Sequence, residues 1–425
     1  MRCLALALLV GCTGTPGPAV MPDAHAADAP ADATPRPLPE LAGTDQVCKL
    51  LSDRNTSDPT PNDVQHRANV LGADLGIPVE HGDTLYILFG DTIGYAGIWG
   101  AQSHPDAVGY GSDPAAAIAA DPSLLCAGLR IVSLPPAQSI GPSVDASVER
   151  DFAGAAMIAP PDHALAEYIH NPAGGNGGPE FANLPGDFEV PSGAFSAGGA
   201  LYVFYTTVVA PNDITMKGSY LARWASPSPA AIPAYDILYT VDERFDDDGP
   251  LGGDFINIAA AVHGDYLYAF GTGAYRASPV TLARKRLDSL DTPGFELVGP
   301  IIATAGYGET SVRYFASIDR WMFLAEELTP GTNRIVARFA DRPEGPWSDA
   351  IVIHDMADPQ FQAAYCCGAD LQCDGKELFH CDRTGFYGTY LFPELVMHDD
   401  GSFTVTYTMS SFDPYNVALF QATFR

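Results

Sequence analysis

Apolar residues form five short segments of strand length along the chain, and a tight-turn signal precedes each of them. The segments are residues 85–91, 201–207, 267–273, 321–327 and 403–409. They are rich in aromatic and aliphatic side chains, and the preceding turns carry Gly or Asp, as in His81-Gly82-Asp83. Another apolar stretch lies before each turn, so the pattern predicts five units that each open with a β-hairpin.

A third strand follows the hairpin in most units. Its copies are Leu221-Ala-Arg223, Leu282-Ala-Arg284, Val336-Ala-Arg338, the weaker Val417-Ala-Leu419, and residues 107–110 in the first unit. Repeats of three or four antiparallel strands are typical of propeller blades. The sequence therefore predicts an all-β fold, a five-bladed β-propeller over residues 45–425. Two stacked β-domains are the alternative, but no second linker separates them.

The charge balance restricts the partners. Lys and Arg number 22 against 52 Asp and Glu, a formal net charge of −30. Such a surface repels phosphate backbones and anionic headgroups, which argues against nucleic-acid binding and electrostatic docking on membranes. A neutral or cationic ligand fits better, and we expect a monomer that binds a polysaccharide.

The N-terminus has the features of an export signal. Met1-Arg2 precedes an apolar run, and Leu9-Val10-Gly11-Cys12 resembles the bacterial lipobox, in which the cysteine is acylated. An ordinary signal peptide is the alternative. Residues 13–44 contain no aromatic residue and are rich in Ala and Pro, which predicts a disordered tether. We expect a signal peptide over residues 1–12, the tether, and then the propeller, in an exported lipoprotein anchored through Cys12 at the outer membrane or cell surface.

Six cysteines remain in the mature chain: Cys48, Cys126, Cys366, Cys367, Cys373 and Cys381. An even number in an exported protein favours disulfides. We expect three, with Cys366–Cys381 closing a surface loop and Cys48 a candidate partner of Cys126. A zinc site in residues 366–381 is the alternative, but no CxxC pair supports it.

Acidic residues occupy a common place in four units. Counting back from the second strand, Asp74 lies 11 residues before Leu85, Glu189 12 before Leu201, Asp254 13 before Leu267, and Glu309 12 before Trp321; the fifth unit has Tyr390 there. These positions mark the innermost strand, so the carboxylates should meet in a central pocket. Glycosidases need one carboxylic acid and one carboxylate. We assign Asp74 as base or nucleophile and Glu309 as acid, with Asp91 and Asp254 holding or tuning them. The alternative is that these acids hold strand ends, bind Ca²⁺ or face solvent.

Other residues are candidates for substrate binding. Besides Glu189 these are Arg276, which can clamp a sugar hydroxyl, and four aromatic residues that can stack on sugar rings: Trp99, Tyr275, Tyr387 and Tyr390. No nucleophile-elbow, zinc-protease, P-loop or dinucleotide motif is present in the sequence, and we predict no cofactor. The acidic loop at residues 246–248 is a further candidate for binding Ca²⁺, although a solvated loop is the commoner explanation.

These motifs resemble the domain-of-unknown-function family 4185. The resemblance rests on Ala73-Asp-Leu-Gly-Ile-Pro78, Phe89-Gly-Asp-Thr92, Gly271-Thr-Gly273, Gly308-Glu-Thr-Ser-Val312 and Gly345-Pro-Trp-Ser348, and extends over residues 45–425. It implies a five-bladed propeller like that of arabinanases and fructosidases, and a glycoside hydrolase that is endo-acting on a furanoside such as D-arabinan. It also implies Asp74, Asp91 and Glu309 as the catalytic candidates. The alternative is a surface glycan-binding propeller that has lost catalysis.

Overall fold

In a computed structural model of the chain, the five predicted units are antiparallel blades: three are separate four-stranded sheets, and two are joined in one seven-stranded sheet. The model describes residues 36–52, 60–68, 70–94, 106–132, 149–150, 156–157, 184–185, 188–209, 215–230, 233, 235–244, 249–330, 332–368, 373–412 and 414–425. The chain divides into two units, Met1–Leu38 and Pro39–Arg425, and the account below concerns the second. The lipobox, most of the predicted tether and Trp99 lie outside the described residues.

The first two blades are separate sheets. Blade one consists of β2 (Val70–His81), β3 (Thr84–Gly94), β4 (Val108–Gly111) and β5 (Leu129–Ile131). Blade two consists of β8 (Phe188–Ala197), β9 (Ala200–Val209), β10 (Thr215–Trp224) and β11 (Tyr235–Glu243). A two-stranded hairpin, β6 (Glu149–Arg150) and β7 (Ala156–Met157), comes between them in the chain.

Blades three and four share one long strand. Blade three contains β12 (Asn257–His263), β13 (Tyr266–Thr272) and β14 (Ser278–Arg286), and blade four contains β16 (Arg320–Thr329), β17 (Thr332–Ala340) and β18 (Ile351–Asp355). The 20-residue strand β15 (Glu296–Phe315) joins them. Its first part pairs with β14 and its second part with β16, so it is the outer strand of one blade and the inner strand of the next.

The fifth blade closes the ring with both ends of the domain. It consists of β19 (Phe386–Met397), β20 (Phe403–Ser411), β21 (Asn416–Phe424) and the N-terminal strand β1 (Leu41–Leu51), which pairs with β21. The tether was predicted to end at residue 44, but β1 begins at Leu41. Backbone pairing with β21 orders this stretch despite its weak apolar pattern. The remaining elements are short helices: α1 (Val64–Ala68), α2 (Ala115–Ala120), α3 (Ser123–Gly128), α4 (Pro359–Tyr365) and a 3-10 turn at Leu287–Ser289.

Five apolar clusters, one between each pair of neighbouring blades, hold the ring together. Residues of blades one and two form one cluster, and the others join two to three, three to four, four to five and five to one. Aromatic rings lie at several of these junctions: Tyr86 packs on Trp224 with centroids 5.6 Å apart, and Phe339 on Phe424 at 5.4 Å. Each blade therefore buries apolar surface against both of its neighbours.

A partly buried arginine joins three of the inner strands. Arg313 of β15 donates from Nη2 to the Pro78 carbonyl of blade one at 2.6 Å and from Nε to the Leu391 carbonyl of blade five at 2.8 Å. Burial lowers its pKa to about 10. Arg313 therefore ties three inner strands together along the propeller axis.

The predicted disulfides are confirmed. Cys48 of β1 bonds to Cys126 of α3, which fastens the closing strand of blade five to a helix that follows β4 of blade one. Cys366–Cys381 and Cys367–Cys373 brace the segment that leads into β19. No helix in the described part of the chain is long and apolar enough to span a membrane.

Candidate active site

All five blades contribute to one pocket of about 280 Å³. The residues that line it are Asp74, Leu75, Asp91, Val190, Val208, Met216, Tyr275, Arg276, Glu309, Glu326, Asn333, Thr384, Gly385, Tyr387, Phe412 and Tyr415. Pairing of the inner strands with their neighbours is irregular here, with register shifts on both sides of Asp74 in β2 and around Glu309 in β15. Such bulges re-aim side chains, and here both side chains reach the pocket.

Asp74 lies in the wall of the pocket with its carboxyl almost fully buried. The Tyr387 hydroxyl donates to its Oδ2 at 2.8 Å, while Oδ1 has no hydrogen-bond partner among the described residues. Burial, and then the charge of Asp91, raises the pKa of Asp74 well above its usual range. Gly90 makes room for this carboxyl, because a Cβ at Gly90 would lie 2.6 Å from Oδ1. The environment therefore favours a protonated Asp74.

Asp91 faces the same pocket from the end of β3. The Tyr415 hydroxyl of blade five donates to its Oδ2 at 3.1 Å. Asp91 has a positive φ of 24°, and two other lining residues, Leu75 and Arg276, have φ values of 62° and 50°. Left-handed conformations cost non-glycine residues about 1–3 kcal/mol each and cluster at functional sites. The strain fits a pocket whose side chains are held in fixed positions by the surrounding blades.

Arg276 connects the carboxylates of blade four. Its Nη2 lies 3.3 Å from Glu309 Oε2 and 3.4 Å from Oε1, and its Nε lies 3.5 Å from Glu326 Oε2. The guanidinium lies over the rings of Tyr387 and Tyr275, 4.4 and 4.8 Å from their centroids. This packing fixes the cation and directs it at both glutamates.

Glu326 was missed by the register argument, although it belongs to the apolar segment 321–327. Asn333 Nδ2 donates to its Oε1 at 3.0 Å, and a Cβ at Gly308 would lie 2.5 Å from Oε2. Burial raises the pKa of Glu326 to about 7, although Arg276 opposes the shift. In both blades a glycine makes room for a buried carboxyl group on the neighbouring strand. In blade one the acid, Asp74, is on the inner strand and Gly90 on the second strand; in blade four Glu326 is on the second strand and Gly308 on the inner strand.

Two of the four acids counted in register do not reach the pocket wall. Glu189 is buried and does not line the pocket, and burial raises its pKa to about 8. Asp254 is exposed and lies before β12 begins. The residue that pairs across its hairpin as Asp74 does is Asn257, which is opposite Thr272 in β13 and is buried. The count failed because it ran past the start of the strand, so Asp254 has no place in the site.

The predicted aromatic platforms also differ from expectation. Tyr390 is buried and lines the narrow axial channel with Arg313, so it cannot stack on a sugar. Tyr387 and Tyr275 line the pocket, but Arg276 lies against both rings. Phe412, which was not predicted, lines the pocket and is 42% exposed. Its ring meets Tyr415 edge-on with centroids 5.1 Å apart, and Tyr415 in turn donates to Asp91.

In the described part of the chain, the one group of candidate ligands with atoms within 4.8 Å of one another is Cys367, Cys373 and His380. Cys367 and Cys373 form a disulfide, so neither offers the thiolate that zinc requires. The oxidised pair does not fit a zinc site.

Several solved structures are similar at low identity: a hydrolase described as putative from Bacteroides ovatus (12% identity, TM-score 0.49, 84% of this chain and 87% of that one), the catalytic domain of a GH62 α-L-arabinofuranosidase from Coprinopsis cinerea (11%, 0.46, 91% and 98%), and an arabinanase from Bacillus subtilis (10%, 0.42, 83% and 96%). No curated protein matches the sequence.

The protein is a five-bladed propeller with a carboxylate-lined pocket formed by all five blades. Residues 59–421 match the family described as "Domain of unknown function (DUF4185)", and the chain belongs to that family.

Proposed function

We propose that the protein is a glycoside hydrolase in which Asp74 is the general acid and Asp91 is the nucleophile or base. The observation that carries the proposal is the pair itself: two carboxyl groups in one pocket, one of which is pushed towards the protonated form by burial and by the other's charge. Glycoside hydrolysis needs one acid and one carboxylate, and environments that drive two carboxyl groups apart in pKa supply both at neutral pH.

Glu309 takes a different part from the acid role that the sequence suggested. Both of its oxygens lie within 3.4 Å of the Arg276 guanidinium, so a cation already orients this carboxylate. Asp74 is held by a hydroxyl instead. We assign Glu309 and Arg276 to binding the substrate hydroxyls. Their ion pair also keeps one positive and one negative charge fixed in the pocket that holds Asp74 and Asp91.

The shape of the pocket supports a sugar ligand. Val190, Val208 and Met216 of blade two form an apolar wall, and polar groups of blades four and five face it. Ligand sites commonly combine apolar walls with a few fixed polar groups. With the family resemblance, this favours a neutral polysaccharide, and we propose a furanoside such as D-arabinan cleaved in the chain interior.

The test is a screen of the full-length purified protein on a panel of neutral polysaccharides, with NMR to determine the anomeric configuration of the first product. Asp74→Asn, Asp91→Asn and Glu309→Gln should each lower turnover at least ~10²-fold with the fold intact. Asp236→Asn, an exposed acid of blade two, is the control. Binding of a glycan without turnover would instead identify a glycan-binding propeller, and an active protein that tolerates both Asp74→Asn and Asp91→Asn would place the site elsewhere.

We also propose export and lipid anchoring through Cys12, from the lipobox-like sequence and the aromatic-free stretch behind it. Cys12→Ser should release the protein from the membrane fraction of the producing cell. A serine variant that still sediments with membranes would refute acylation at this residue.

A further inference from the structure

Phe412 is an exposed aromatic side chain of the pocket, and the mechanism above does not use it. Seven large apolar side chains are exposed in the described part of the chain, and Phe412 is the one among them that lines the pocket. It is also the one aromatic residue of that group. Single exposed apolar residues are common on protein surfaces, so the argument rests on the place of Phe412 in the pocket and not on its exposure alone.

The other three aromatic residues of the pocket are occupied by groups of the protein itself. The hydroxyls of Tyr387 and Tyr415 donate to the two carboxyl groups proposed for catalysis, and both rings are buried. The Arg276 guanidinium lies over the rings of Tyr387 and Tyr275. Among the described lining residues, Phe412 therefore offers the aromatic surface that a ligand can cover.

The connection from β20 to β21, which carries Phe412, is tied to the disulfide-braced segment at both of its ends. Ser411 Oγ donates to the Leu378 carbonyl at 3.2 Å, and Asn416 Nδ2 donates to the same carbonyl. Leu378 lies within the loop that the Cys366–Cys381 disulfide closes. Because the ends of the connection are held, the phenyl ring needs little ordering when a ligand covers it.

We infer that Phe412 is the sugar-stacking residue of the pocket, and that the apolar C–H face of one neutral sugar ring covers its exposed phenyl group. The inference rests on the proposed function and specifies its substrate contact. Ligand sites orient a molecule with a few polar groups and hold its apolar parts on aromatic or aliphatic side chains. The face of an aromatic ring carries partial negative charge, so it accepts a C–H face and repels a carboxylate or a phosphate.

The test is binding of neutral oligosaccharides to the full-length protein by isothermal calorimetry. Linear arabino-, xylo- and cello-oligosaccharides are the probes, and Asp74→Asn is present throughout so that the ligand is not consumed. Phe412 is 42% exposed, and an aromatic side chain has about 150–250 Å² of surface, so a sugar can cover roughly 60–105 Å² of it. Phe412→Ala should therefore raise the Kd of the bound oligosaccharide at least about tenfold. Phe412→Tyr keeps the ring and should leave the Kd within about threefold.

The matched control is Leu297→Ala in β15, because Leu297 is also an exposed large apolar residue but does not line the pocket. It should leave the Kd unchanged. In the protein with Asp74 intact, Phe412→Ala should raise KM while kcat stays within about threefold, because the hydrogen bond from Tyr415 to Asp91 remains. A merely structural role for Phe412 would instead lower kcat and the thermal stability together.

The outcomes separate failure of the inference from failure of the proposed function. Equal Kd values with and without Phe412→Ala would overturn the inference and leave the hydrolase proposal intact. If the wild type binds an oligosaccharide without hydrolysing it, and Phe412→Ala weakens that binding, the inference holds and only the enzyme is refuted. Binding of none of the probes, together with no hydrolysis of any neutral polysaccharide, would overturn both.

Discussion

Replacing Tyr387 with Phe tests which carboxyl group is the acid. The Tyr387 hydroxyl donates to Asp74 Oδ2 at 2.8 Å in a buried setting, and this bond lowers the pKa of Asp74 against the larger effect of burial. A hydrogen bond to a charged group contributes about 1.5–3 kcal/mol, and one pKa unit corresponds to about 1.36 kcal/mol. The Tyr387 hydroxyl also contacts the protonated form of Asp74, so the net free energy lost with the bond should lie in the lower part of that range.

Loss of the bond should therefore raise the pKa of Asp74 further, because the group that stabilises its charged form is gone. If Asp74 is the general acid, the alkaline limb of the kcat–pH profile moves to higher pH, because the proton is retained longer; about 1.4 kcal/mol corresponds to a roughly tenfold higher rate on that limb. If Asp74 is the base or nucleophile, the acidic limb moves instead. The assay is kcat measured from pH 4 to pH 10 on a soluble oligosaccharide.

Tyr390→Phe is the matched control, because Tyr390 is also a buried tyrosine of β19 but lines the axial channel rather than the pocket. It should leave both limbs in place. If the folded and active Tyr387→Phe variant has the same kcat–pH profile as wild type at both limbs, Asp74 is neither the general acid nor the general base of the reaction.

Three further predictions follow from the geometry. Gly90→Ala places a Cβ 2.6 Å from Asp74 Oδ1 and 2.8 Å from Leu75 Cδ1, so kcat should fall at least about tenfold. Gly43→Ala is the control, because a Cβ there has nothing within 4 Å and kcat should stay unchanged. Equal kcat values for the two variants would contradict the close fit at Gly90. Arg313→Ala leaves the buried carbonyls of Pro78 and Leu391 without their donor and should lower the free energy of unfolding in urea by about 2–4 kcal/mol, far more than the exposed Arg286→Ala. Glu189→Gln should stabilise the protein by roughly 2–4 kcal/mol at pH 8 and not at pH 4. The pKa of Glu189 is about 8 in the folded state and near 4.5 in the unfolded state, so the wild type loses stability as the pH rises above 4.5. A difference in the free energy of unfolding that does not depend on pH would refute this.

The blades could be predicted from the sequence because their signal is local. Turn residues, alternating apolar segments and the Leu-Ala-Arg copies each specify a strand and its neighbour, and blade repetition fixes the architecture. The closing strand β1 could not be predicted in the same way. It is ordered by pairing with β21, at the other end of the sequence, so no local pattern marks where it begins.

A site residue could be predicted from the sequence only where its position within a strand alone determines whether its side chain reaches the pocket. Asp74 and Glu309 were found because both lie inside inner strands, but bulges and turn lengths determine which neighbouring side chain faces the axis. Asp254 was wrongly placed in the pocket because it lies before β12 begins. Glu326 and Tyr415 were missed for a related reason: each reaches the pocket from outside the inner strand, through contacts that only the assembled ring provides.

The distribution of charge around the axis restricts the substrate more closely than the net charge of the chain does. Four carboxyl groups line the pocket, Asp74, Asp91, Glu309 and Glu326, and Arg276 is the one Lys or Arg among the described lining residues. Asp106 and Glu189 are two further buried acids that do not line the pocket. A single guanidinium cannot neutralise all of these carboxylates. Burial therefore favours the protonated, uncharged form of some of them, as the raised pKa values of Asp74, Glu326 and Glu189 indicate. An anionic sugar entering the pocket would add charge where it is already in excess, and Arg276 is committed to two glutamates. We therefore expect neutral polysaccharides to bind at pH 7, and uronate polymers such as polygalacturonate to be neither bound nor cleaved. Isothermal calorimetry measures the binding, and the release of reducing ends measures the cleavage. Hydrolysis of a uronate polymer at a rate comparable to that of a neutral one would refute the electrostatic argument.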